Sequence, residues 1–143
     1  MSNRKKKKQP AYIRNQGTRG AVSPKERVIT FSLSKHVKGE GQSIEEWEEE
    51  GLLAKLLLRM KYVGQHSVHV VRQKQYIKEY HKVDFPPDSE FNPPKHVIDV
   101  IWAVMHITPK SKEVVVGFIE DDVFNIIFLD KEHKFWPSDL KNT

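Results

Sequence analysis

"EVVVGFIEDDVFNIIFLD", residues 113 to 130, is two apolar runs separated by Asp121 and Asp122. Each run is short, rich in Val, Ile and Phe, and bounded by turn-forming residues, which is how strands read. A two-residue link between such runs closes an antiparallel hairpin. Just upstream, "HVIDVIWAVMHIT", residues 96 to 108, is apolar on both faces and reaches the hairpin through "PKSK". Three strands in a meander result, with an inner face that takes helices. Val115, Ile119, Ile126 and Phe128 are more outer apolar positions than two helices cover. An exposed remainder would mark a dimer or partner surface.

The helices lie before the meander. In "SIEEWEEEGLLAKLLLRMKYV", residues 43 to 63, Ser43 followed three residues later by Glu46 is a capping box. Leu53, Leu56, Leu57 and Met60 follow helical spacing and predict one apolar face, extended upstream by Ile44 and Trp47. Gly51 divides or kinks this helix. Ser67 caps a second helix running to about Tyr80, with Val68, Val71, Tyr76, Ile77 and Tyr80 on a weaker stripe, and "HSVHVV" alone also reads as a strand. "DFPPDSEFNPPK" is a loop, because its Pro-Pro pairs forbid regular structure. "RVITFSLS", residues 27 to 34, alternates as a half-buried strand that joins the meander at an edge. The expected fold is α+β: a four-stranded antiparallel sheet in the order strand-helix-helix-strand-strand-strand, with helices on one face. Residues 27–143 form a single domain, and residues 1–26 read as a disordered basic tail.

The net charge of +5 conceals that division. Residues 1–30 carry nine Lys and Arg against Glu26 alone, a net of +8, which leaves −3 for the rest. Arg4, Lys5, Lys6, Lys7, Lys8, Arg14 and Arg19 are therefore the candidate nucleic-acid contacts, since lysine runs neutralise phosphate and release counterions. Tyr12 adds one stacking ring. The same run also reads as a solubilising tail or, without an amphipathic helix, as a weak membrane-surface anchor. The absence of cysteine excludes disulfides, thiolate metal sites and a cysteine nucleophile, and fits a cytoplasmic location. No apolar run approaches the roughly 20 residues that span a bilayer, so no membrane partner is expected. There is no Gly-rich phosphate loop, no G-x-S-x-G and no H-E-x-x-H, and no cofactor is implied.

Seven histidines are the main titratable candidates. His66 and His69 share a helix face, but no third ligand accompanies them, so no metal site is expected. His106 lies inside a strand, where it reads as a core or interface residue with one satisfied nitrogen. His36 sits in a glycine-bearing loop. His133 is the best placed, three residues after Asp130 and next to Lys134. Asp130 would orient the imidazole and Lys134 would stabilise developing negative charge. His96, after the stiff "NPPK", would share the acid and base roles, which requires both histidines to meet at one point. A plainer reading makes Asp130 a turn residue accepting backbone hydrogen bonds, with Phe135 and Trp136 closing the core edge and His96 a polar strand start.

The stretch "GFIEDDVFNIIFLDKEHKFWPS", with "LLAKLLLRMKYV" and "PPKHV", resembles a small group of bacterial proteins from mobile-element and phage-defence settings. The order of elements also resembles the RelE-type ribosome-dependent ribonuclease toxins, and "HKFW" resembles their C-terminal ends. The chain departs from those toxins in its sheet. Residues 97–130 hold Lys110 and Lys112 and no arginine. The resemblance implies a toxin- or defence-type protein acting on RNA, an endoribonuclease if His133, Asp130, Lys134 and His96 form a site. The alternative is a non-catalytic interaction module that binds a protein partner or a second copy, with the tail docking on nucleic acid or a ribosome.

Overall fold

The apolar runs of the meander need cover on both sides, and the fold is the way the chain supplies it. The computed structural model describes residue 23 and residues 26–81 and 85–137. Its elements are β1 (Thr30–Ser32), α1 (Ile44–Glu49), α2 (Leu52–Val63), α3 (Val68–Gln73), β2 (Lys78–Glu79), β3 (Trp102–His106), β4 (Val114–Glu120) and β5 (Val123–Asp130). The class is α+β, as the sequence predicts, but the sheet has five strands in the order β1-β5-β4-β3-β2 and is mixed. β1 lies parallel to β5, while the other pairs are antiparallel. Tight turns dictate antiparallel pairing only for β3, β4 and β5. β1 reaches its partner through the whole helical layer, a connection long enough for a parallel neighbour. β2 is two residues long and has no period to read.

The helical elements are shorter than their apolar stripes. Ser43 accepts from the Glu46 amide at 3.1 Å, and the Glu46 carboxylate accepts from the Ser43 amide at 2.9 Å, completing the capping box. Gly51 at φ 74° ends the helical path in the left-handed region, so α1 and α2 are separate. The helix capped by Ser67 ends at Gln73, well short of Tyr80. Gln75 takes φ 55°, and the Tyr76 amide donates back to the Val71 carbonyl at 3.0 Å. That closure is usually given to glycine, and a glutamine there carries no stop signal. The strand expected from residue 96 starts only at Trp102, after Asp99 turns the chain at φ 57°.

One face of the sheet carries the helices. Trp47, Leu52, Leu56, Val63, Val68 and Val71 pack there against Met105, Val115, Ile126 and Leu129. Each fully buried aliphatic chain contributes about 1.5–3 kcal/mol. On the other face the cover, among the described residues of the core, comes from loops. Val104, Val116, Phe118, Ile127 and Phe128 meet Val97, Phe85, Phe91 and Phe135 from the proline-rich loop and the C-terminal segment. The expected exposed remainder is absent: Val115, Ile126 and Phe128 are each 0% accessible, and Ile119 is partly buried against the helix-side core. Nor do the four share one face, because β5 bulges.

The bulge decides which way the end of β5 points. Val116 pairs with Phe128 but Gly117 with Ile126, leaving Ile127 as the extra residue. Phe124 and Ile126 face the helices, yet Phe128 faces the loop layer, because one inserted residue reverses the phase. Gly117 makes room for it: a Cβ there would lie 1.8 Å from the Asn125 carbonyl oxygen.

Candidate functional site

Asp130 closes β5, and the bulge brings it to the loop-covered face. Counting back from the two-residue turn would pair Val114 with Leu129; the extra residue pairs it with Asp130 instead. Val114 also pairs with His106 on β3, so Asp130, Val114 and His106 form one row across three strands. His133 then folds over that row. Its ring lies 5.5 Å from the His106 ring at 39°. The structure thus brings together Asp130, His133 and the Lys134 backbone, and adds His106 to them.

Asp130 is 1% accessible and its carboxylate is fully engaged. Oδ1 accepts from the Lys134 amide at 2.9 Å and Oδ2 from the Phe135 amide at 2.8 Å. Burial raises its pKa above the ordinary 3.8; the two amides and the nearby His133 oppose the shift without cancelling it. His133 holds φ 59°, a left-handed conformation uncommon outside glycine, which lets the chain turn back under Asp130. It is 2% accessible, and its Nδ1 is buried without a hydrogen-bond partner. His106 donates from Nδ1 to the Ser111 carbonyl at 2.9 Å.

Lys134 and His96 stand apart from this cluster. The Lys134 ammonium lies on the surface, 3.3 Å from Glu132 and 3.5 Å from Glu90, and these carboxylates raise its pKa. His96 is exposed and donates to the Lys35 carbonyl at 3.1 Å. The Lys35 ammonium reaches Glu120, at the far end of β4 from Val114. His96 is therefore anchored toward the other end of the sheet. Chemically, the cluster holds two imidazoles and a carboxylate, with Asp130 committed to the turn. Among the described residues no group of three His, Cys, Asp or Glu could hold a metal ion. No helix among them is long and apolar enough to cross a membrane. A cavity of about 350 Å³ lies elsewhere, between α3 and β2, lined by Arg72, Gln75, Ile77, Glu79, His81 and Ile101. Arg72 is bound to Glu79 there at 2.8 and 3.3 Å. The basic residues from Arg4 to Arg19 lie outside the described residues.

The helical layer carries a second candidate. Leu57, expected on the inner face, is 61% accessible, and Leu58 is 65%. Ala54 and Tyr62 share that outer side with Lys55 and Lys61, so α2 carries an apolar patch on its exposed face as well as its buried stripe. Six of its twelve residues are Leu or Met, too many for one stripe, and that excess was the signal to read. Tyr62 is held in place at the patch edge. Its hydroxyl lies 3.2 Å from that of Tyr76, and the Arg59 guanidinium sits 5.4 and 5.3 Å from the two ring centres. Charge is segregated along the same layer. Residues 44–50 contain five glutamates and no base, whereas residues 51–78 contain six Lys and Arg and no acid. A whole-chain sum erases that contrast. No protein-family model, curated protein or solved structure matches this chain.

Proposed function

We propose that the chain is a non-catalytic, nucleic-acid-associated interaction module. Its folded body docks protein through the outer face of α2, and its basic N-terminal residues hold RNA or DNA. The observation that carries this reading is the exposed pair Leu57 and Leu58 on the outer face of α2, since an apolar patch among exposed lysines asks for a cover. The use of both Asp130 oxygens in a turn also favours a structural role for the C-terminal constellation. The test measures binding of a 20-nucleotide RNA by anisotropy at 50 and 200 mM salt. Replacing Lys5, Lys6, Lys7 and Lys8 by Gln in the full chain should weaken binding by about tenfold or more and flatten its salt dependence. Equal affinity and equal slope in the two proteins would remove the tail from the function.

One observation favours a second reading, an RNA-directed endoribonuclease. His106 and His133 lie side by side next to Asp130, and the buried His133 Nδ1 lacks a partner. Two imidazoles are a base and an acid for attack by a ribose 2′-hydroxyl, once the Lys131–Lys134 turn opens to admit the substrate. This reading requires RNA cleavage by the full chain that is lost in both His106→Gln and His133→Gln with folding retained. Intact RNA after prolonged incubation with the wild type discards it.

A further inference from the structure

The outer face of α2 has a shape and a charge pattern that identify its occupant. We infer that it is a second copy of this chain, paired antiparallel through α2 about a two-fold axis near Leu57 and Leu58. The inference rests on the interaction-module reading and names the partner.

Three observations converge. The exposed apolar residues Leu57 and Leu58 sit at the middle of α2, flanked by Ala54 on one side and Tyr62 on the other. An antiparallel partner places Ala54 opposite Lys61 and Leu57 opposite Leu58, so small meets long and apolar meets apolar. Tyr62 is fixed beforehand by Tyr76 and Arg59, and a rigid aromatic at the rim of an apolar patch suits an interface anchor. Charge then selects the direction. Glu45, Glu46, Glu48 and Glu49, which precede α2, are exposed, and the exposed bases Lys61 and Lys74 follow from its end, while Glu50 and Arg72 are already paired with Lys131 and Glu79. Antiparallel pairing lays the acidic entry of each α2 over the basic exit of the other; parallel pairing sets like against like. An isologous interface satisfies both ends at once. Twelve residues of helix span only about 18 Å, so the contact is below the standard interface size.

Sedimentation equilibrium of the full chain, from 1 to 500 µM, tests this. The expected result is a reversible shift from 16.7 kDa to twice that mass. Raising salt from 50 to 500 mM should weaken it several-fold, because the ends of the interface are ionic. Leu57→Glu with Leu58→Glu should raise the dissociation constant at least 100-fold. Both side chains are exposed, so at 1 µM, below the dimer's dissociation range, the urea midpoint should stay unchanged, which separates lost pairing from lost folding. The chain lacks cysteine, so direction can be read by cross-linking. Mixing Ala54→Cys with Lys61→Cys should give a disulfide-linked dimer in high yield, and neither variant alone should. A chain that stays monomeric at 500 µM, or a dimer indifferent to the Leu57/Leu58 change, overturns the inference. So does cross-linking of Ala54→Cys to itself. RNA binding is measured on the same samples, so a monomer that still binds through its lysines loses the second copy and leaves the nucleic-acid reading standing.

Discussion

The two faces of the sheet are dry for different reasons. On the helix side, periodic segments present apolar stripes, and Trp47, Leu56 and Val63 fill the space above Val115 and Ile126. On the other side, among the residues described up to Trp136, loops rather than regular elements lie over the sheet. The cover is a proline-rich loop and the residues after β5, and aromatic rings do the filling. Trp102 stacks on Phe128 at 6.0 Å, Phe85 meets Phe135 edge-on at 5.2 Å, and Tyr80 stacks on Trp136 at 4.3 Å. Rings bury large areas with few torsions, so a loop that carries them can serve as a layer. An irregular cover is not by itself a weak one.

Truncation on each side puts that lesson at risk. Phe135→Ala should cost about 3–5 kcal/mol and Leu56→Ala about 2–5 kcal/mol, read from urea midpoints at constant slope. Similar losses mean that the loop face is a core in its own right. A loss under about 1 kcal/mol at Phe135 would mean a mobile flap lying on the sheet, and the buried cluster around His133 would then be open to solvent.

Gly117 sharpens the comparison, because it lets β5 serve both faces. A methyl group there has no space against Asn125. Gly117→Ala should cost about 1–3 kcal/mol as overpacking or slip the register of β5. A slip would carry Phe128 and Asp130 to the helix side, and the His106–His133 contact would vanish from side-chain NMR spectra. A fully stable Gly117→Ala protein with unchanged contacts would show that the bulge does not set the phase.

The same comparison explains what was legible in the sequence. The capping box at Ser43, the Gly51 break and the β4–β5 hairpin are local, and they read directly. Leu57 did not, because α2 holds more Leu and Met than its buried stripe uses, and spacing alone does not say which of them stay outside. β2 has two residues and no period, and β1 takes its direction from packing rather than from a turn. Asp130 and His133 were legible as a pair from their spacing and from turn chemistry. His106 was not legible as their neighbour, because an unbulged count puts Leu129 opposite Val114. The anchoring of His96 toward the far end of β4 depends on a loop path that proline pairs stiffen but do not aim.

The smallest effects compare one task in two environments. Ser43 satisfies the Glu46 amide near the surface, and Asp130 satisfies the Lys134 and Phe135 amides inside the loop-side core. Asp130→Asn turns one acceptor into a donor facing an amide and should cost about 1–3 kcal/mol at neutral pH. Ser43→Ala, where water can replace the lost oxygen, should cost about 1 kcal/mol. The pH dependence of Asp130 has a definite sign. Burial raises its folded pKa above the unfolded value near 3.8, so the folded chain keeps that proton to higher pH than the unfolded chain does. The stability contributed by protonation is full below the unfolded value and is lost as pH rises through the folded one. Wild type should therefore gain on Asp130→Asn as pH falls through that window, and the Asp130 carboxyl should titrate by NMR above the ordinary range. A carboxyl that titrates at or below 3.8, with a cost for Asp130→Asn no larger than for Ser43→Ala, would mean that water reaches both sites alike and that the loop face is not dry.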